Sequence, residues 1–186
     1  MIRIFAYETI AVTVRHSFEI NLDTAGLEHG ARVELALMEQ QPHRGTESAT
    51  QRHVTERAIW RADIFDRLDR EPGRYSAFHF HPRFDGIEPC PRDWSGLEGR
   101  DPWDWLTEQL GDVRPLLGEE SLPTDALSED IRQIGLDAQL IVTAARDLGP
   151  ERCRTQETCF QWTKDLSATV RLMEQNMAEP HKLDGS

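Results

Sequence analysis

Cysteine is scarce and badly spaced for either a disulfide framework or a thiolate metal site. Only Cys90, Cys153 and Cys159 occur among 186 residues, and no Cys-x-x-Cys pair is present. An odd, unpatterned set of this kind suits a reducing compartment. Lysine is nearly absent as well: Lys164 and Lys182 are the whole supply, so arginine carries the basic charge. No apolar run approaches the roughly 20 residues of a membrane-spanning helix. The apolar run that starts at Arg3 is interrupted by Glu8, too early for the core of a secretory signal. These absences lead to the expectation of a cytoplasmic protein with no membrane association. The motifs of nucleophilic hydrolases, dinucleotide folds, phosphate loops, zinc proteases and calcium hands are missing too. No internal repeat occurs.

What is present is polar and acidic. Hydrophobic residues make up 38% and charged residues 29%, with a formal charge of −12. The length suits one domain with a core that needs no staples, and five Trp with seven Phe argue against disorder. The negative charge opposes non-specific nucleic-acid binding. That charge is uneven. Residues 1–42 carry 3 basic and 6 acidic side chains, and residues 85–186 carry 10 and 21. Residues 43–84 reverse the sign, with 8 Arg against 6 acidic residues, and hold His43, His53, His79 and His81. A small anionic ligand is best tolerated there. The plainer reading pairs those arginines with Asp63, Asp66, Asp69 and Glu71 across strands.

The spacing predicts strands first. Residues 2–7 read as a short strand. Ile10, Val12, Val14, His16, Phe18 and Ile20 alternate with polar residues, as a half-buried strand does. His16 on that apolar face reads as a satisfied core residue. Residues 23–30 read as a turn or loop, residues 31–39 as another strand, and residues 40–50 as a polar loop. Ile59–Asp66 and Tyr75–His81 flank Pro72-Gly73 and read as a hairpin with a type II turn. Strand alternation places His79 and His81 on one face and Phe78 and Phe80 on the other. A symmetric loop about Pro72-Gly73 sets Asp66 opposite His79 and Ile64 opposite His81.

Prolines at 82, 89 and 91 exclude a helix and a central strand. That irregular stretch is free to fold back and bring Asp85 or Glu88 near the histidines. From Asp101 the signals turn helical, with Asp101-Pro102 as N-cap and first residue and Gly111 as stop. Leu127, Ile131, Ile134, Ala138, Ile141, Ala145 and Leu148 then form a regular helical seam. Gly149-Pro150 ends that helix and starts another, which makes a long helical hairpin.

The expected fold is α+β. An antiparallel sheet over 1–82 is followed by a Pro-rich connector over 83–100, helices over 101–177 packing on the sheet, and a tail over 178–186. Chemistry centres on His79 and His81, with Asp66 as orienting carboxylate and Arg61, Arg83, His53 and Asp85 as ligand contacts. A His-x-His strand with Asp85 is also a candidate set for a divalent metal. Residues 73–85 are superficially similar to the first motif of the cupin family, with Gly73, His79-Phe80-His81 and Asp85 in the matching places. That family carries Glu at the acidic position and a second His-bearing motif. Here Pro82 interrupts the strand and the chain downstream reads helical, so no role is carried over from the likeness. The leading expectation is a non-catalytic binding protein without a cofactor, acting on a partner through the helical hairpin or the sheet face bearing His79 and His81, or on itself through the hairpin. The competing one is a small His-based hydrolase of phosphodiesters, or a metal-dependent enzyme.

Overall fold

The computed structural model describes residues 2–21, 26–40, 54–118 and 125–147. The chain divides into two compact units, Met1–Gly149 and Pro150–Ser186, and every described residue belongs to the first. Five strands follow one another across a single antiparallel sheet: β1 (Ile2–Ala6), β2 (Ile10–Asn21), β3 (Gly26–Gln40), β4 (Val54–Arg67) and β5 (His79–His81). Among the described residues two helices come after them, α1 (Pro102–Gly111) and α2 (Asp125–Asp147), with a 3-10 turn at Arg114–Leu116 between. The expected α+β arrangement of N-terminal sheet and C-terminal helices holds. No helix among the described residues is long and apolar enough to cross a membrane.

Strand alternation decides what each face of the sheet carries. Val12 pairs with Leu35 and Leu35 with Trp60; Val14 pairs with Val33, Val33 with Ala62, and Ala62 with Phe80. These side chains share one face, and α1 and α2 cover it. Trp103, Trp105, Leu106 and Leu110 come down from α1, and Leu127, Ile134, Ala138, Ile141 and Ala145 from α2. The seam read along α2 is therefore used in the protein's own core. Asp101 caps α1 as expected, accepting from the backbone N–H of Trp103 (2.9 Å) and Asp104 (3.0 Å).

Two polar devices set the helices in place. The Asp130 carboxylate on α2 accepts from the N–H of Glu8, Thr9 and Ile10 and from the Thr9 hydroxyl, which pins the β1–β2 turn to the helix. Gly135 is a weak helix former, yet a Cβ there would stand 2.9 Å from the Gly111 carbonyl oxygen. Its missing side chain is what lets the two helices touch.

The structure corrects two expectations. Residues 26–30, read as part of a turn, belong to β3, whose pairing with β2 runs back as far as Gly26. Gly30 makes that extension possible, because any Cβ there would meet the Ile64 carbonyl oxygen at 2.0 Å. The β4–β5 register also differs: His79 pairs with Asp63 and His81 with Arg61, in place of Asp66 and Ile64. The connector is the cause. The Asp66 carboxylate accepts from Gly73 N–H (2.7 Å) and Tyr75 N–H, and Tyr75 takes a left-handed φ of 51°, so the chain makes an asymmetric excursion before β5. Of the expected helical hairpin, the first helix, α2, falls among the described residues; residues 150–177 and the tail over 178–186 lie outside them, as do residues 41–53.

Candidate metal centre

Over β3, β4 and β5, the face of the sheet turned away from the helices is largely polar and buried. Two transverse rows cross it. One runs Arg15, Arg32, Asp63, His79, and the other Thr13, Glu34, Arg61, His81. Charged residues in the middle of a sheet are tolerable only if something excludes water and every charge finds a partner. The Pro-rich stretch supplies the cover. Phe84 N–H donates to the Ile59 carbonyl, and Asp93 exchanges both backbone hydrogen bonds with Phe80, at 2.8 and 3.0 Å. That pairing sets Trp94 beside His79, with ring centroids 6.0 Å apart, and aims Arg92 inward. Residues 82–97 thus form a strap. Beneath it, Asp63 and His79 are 0% exposed, and Arg61 and His81 1%.

Asp63 is the centre of the network. Arg32 grips it with both arms, Nε to Oδ1 at 2.7 Å and Nη2 to Oδ2 at 3.0 Å. Arg61 Nε lies 3.0 Å from Oδ2, but its N–H is not aimed there and makes no hydrogen bond, so the contact is ionic only. Outer carboxylates balance the guanidiniums. Glu19 meets Arg32 and, at 3.4 Å, Arg92; Glu28 meets Arg92 at 3.0 Å; Glu88 reaches in from the strap to Arg61. These pairs set four carboxylates against three guanidiniums. Burial pushes the Asp63 carboxyl up, but its contacts with His79, His81 and Arg32 outweigh that and hold it well below the usual carboxylate range.

The two histidines are locked in one orientation. His79 Nδ1 lies 2.7 Å from the Ala77 carbonyl, and His81 Nδ1 lies 2.8 Å from the Pro91 carbonyl. A carbonyl can only accept, so Nδ1 carries the proton in both rings, and in the neutral ring Nε2 keeps its lone pair. Both Nε2 atoms lie near Asp63 Oδ2, at 3.3 and 3.5 Å. His81 Nε2 accepts from Arg61 Nη2 at 2.8 Å. His79 Nε2 is buried and has no hydrogen-bond partner. Asp63, His79 and His81 are the one group among the described residues whose three ligand atoms lie within 4.8 Å of one another.

The expected site residues divide sharply. His79, His81 and Arg61 come together, and Glu88 folds back toward them. Asp66 does not: it shares a row with His29 on the opposite face, because an odd offset in register turns a side chain to the other side of the sheet. Asp85 is exposed and accepts from Ile87 N–H at 3.0 Å within its own loop, so Asp63 takes the position proposed for it beside the histidines. Arg83 is exposed, and His53 lies outside the described residues. Asp63 was anticipated only as a cross-strand partner for arginines, and Arg32, Glu19, Glu28 and Arg92 were not anticipated. Asp63 and Arg32 had one sequence signal, an alternation of charge along 61–63 and 32–34, which reads equally as a solvated face. No protein-family model, no curated protein and no solved structure matches the chain.

Proposed function

We propose that the protein holds one divalent first-row transition ion through Asp63 Oδ2, His79 Nε2 and His81 Nε2, and that with the strap closed it acts as a metal-binding protein without catalysis. One observation carries this reading: three possible ligand atoms converge, and one of them, the buried His79 Nε2, has no hydrogen-bond partner. Two ligand atoms that each lie about 2.1 Å from a tetrahedral ion stand about 3.4 Å apart, and the two Nε2 atoms lie 3.3 and 3.5 Å from Oδ2. Main-chain carbonyls hold the far nitrogen of each ring, as the outer partners of metal-bound histidines do. Two imidazoles and one carboxylate suit zinc, iron, cobalt or nickel in preference to magnesium or calcium. The excess of carboxylate over guanidinium around the site favours a cation in it.

A metal-dependent hydrolase is the second reading. Three protein ligands leave a coordination position for water or substrate, as catalytic sites do. It requires the strap to move, since His79 and His81 are sealed from solvent. A docking role for the helices has less behind it. The α2 seam from Leu127 to Ala145 is spent on the core, which leaves Leu136 and Leu140 as its exposed apolar residues.

Elemental analysis and zinc calorimetry on the purified chain test the leading reading, beside a His79→Ala/His81→Ala double variant. One ion per chain, lost in the variant with the fold retained, is the expected result. An equal heat of binding in both proteins would remove it.

A further inference from the structure

Arg61 stands where the proposed ion would need room, and it holds two sets of partners at once. On the inner side its Nη2 donates to His81 Nε2 at 2.8 Å, and its Nε lies 3.0 Å from Asp63 Oδ2 without a hydrogen bond. On the outer side its Nη1 pairs with Glu88 on the strap, and Nη2 lies 4.0 Å from Glu19. The guanidinium sits over the Phe84 ring, 4.4 Å from its centroid. The inner contacts use the same two atoms that would ligate an ion. The outer contacts involve carboxylates and an aromatic face that stay available when the inner ones are given up.

We propose that Arg61 is the resident cation of the site: it satisfies His81 and Asp63 when no ion is bound, and withdraws toward Glu88 and Glu19 when one is. The inference rests on the metal-binding reading above and says what regulates that site. A guanidinium cannot lose its charge at any ordinary pH, and His81 Nε2 has one lone pair, so the Arg61 donor and a divalent ion cannot share it. Withdrawal costs the bond to His81 and keeps the pair with Glu88. Glu88 belongs to the strap, and the strap also supplies the Pro91 carbonyl that fixes the His81 ring. Ion occupancy is therefore coupled to the segment that closes the site. Arg32 has no such freedom, because both of its inner bonds end on Asp63, and it stays as the carboxylate's permanent partner.

The test is a set of zinc titrations by calorimetry on the full chain at fixed pH. Arg61→Met keeps the buried stem and removes the charge, and is expected to bind zinc about 10-fold or more tightly than wild type. Glu88→Gln weakens the outer refuge at a half-exposed position, and is expected to bind several-fold more weakly. His79→Ala/His81→Ala reports the metal reading by itself. Zinc bound by wild type, lost in the double His variant, and no tighter in Arg61→Met would overturn the role of Arg61 and leave the metal site standing. No zinc in either wild type or Arg61→Met would overturn both. Zinc in Arg61→Met alone would support the inference in its strongest form. Should Arg61→Met fail to fold, Glu88→Gln decides, and unchanged affinity there counts against the inference.

Discussion

The two faces of the one sheet are buried by different physics. Toward the helices, Val12, Val14, Val33, Leu35, Trp60 and Ala62 meet α1 and α2 in an apolar layer. Toward the strap, Arg32, Arg61, Asp63, His79 and His81 are just as inaccessible, and they are held by ion pairs and hydrogen bonds. The apolar layer gains free energy from almost any well-packed neighbour. The polar layer gains little net stability, because desolvation offsets most of the attraction between its charges. A sheet that needed only stability could have been apolar on both sides. The polar face therefore points to a use, and the contrast between the two faces can be broken or sharpened by substitution.

The largest effect should come from Asp63→Ala, which leaves the buried Arg32 and Arg61 facing each other without their shared partner. A loss of about 3–5 kcal/mol in urea unfolding is expected. Adding Arg32→Met to the same chain should restore about 1 kcal/mol or more, a rescue with no counterpart on the other face. On the apolar face, Leu106→Ala should cost about 2–5 kcal/mol, and no second polar change should repair it. Asp130→Ala removes four acceptor contacts from the β1–β2 turn and should cost about 2 kcal/mol.

A smaller effect depends on pH. Burial, the facing His29 and the chain's amino terminus push the His16 imidazole down to about 4. The unfolded chain takes up that proton near pH 6.5, while the folded ring refuses it until pH reaches about 4. Stability should thus fall as pH drops through that window, by about 1–2 kcal/mol once solvent screening is allowed for. His16→Gln should flatten the curve there. Asp63 acts at lower pH. Its contribution is full above the usual carboxylate value of about 4 and drains away below it, because its folded pKa is depressed. Least of all, Arg132→Ala in the exposed pair with Glu129 should leave the unfolding midpoint where it was.

Sequence reading reached the apolar face and stopped short of the polar one, and the residues show why. Ile10, Val12 and Val14 alternate with polar neighbours, so β2 and its core face were legible. Asp101-Pro102 and Gly111 marked the ends of α1, because caps are local chemistry. His79 and His81 could be placed on one face by counting, and Arg61 near them by charge. Asp63 could not. Its meeting with the histidines depends on a connector whose asymmetry comes from the Asp66 carboxylate and the left-handed Tyr75. An odd shift in register exchanges one acidic residue for another on the opposite face. Nor could alternation separate a charged row under the strap from one in water, since that distinction lies in Phe84, Pro91 and Asp93, far along the chain.

Cobalt(II) added in steps to the wild-type protein, followed by its visible absorption, tests the metal centre most directly. Bands should grow linearly to one equivalent and then stop, with their intensity lost in His79→Ala/His81→Ala at unchanged far-ultraviolet dichroism. A spectrum no different from cobalt in buffer, or bands that survive in the double variant, would contradict the metal reading. Asp63, His79 and His81 would then be a closed ion-pair layer and nothing more.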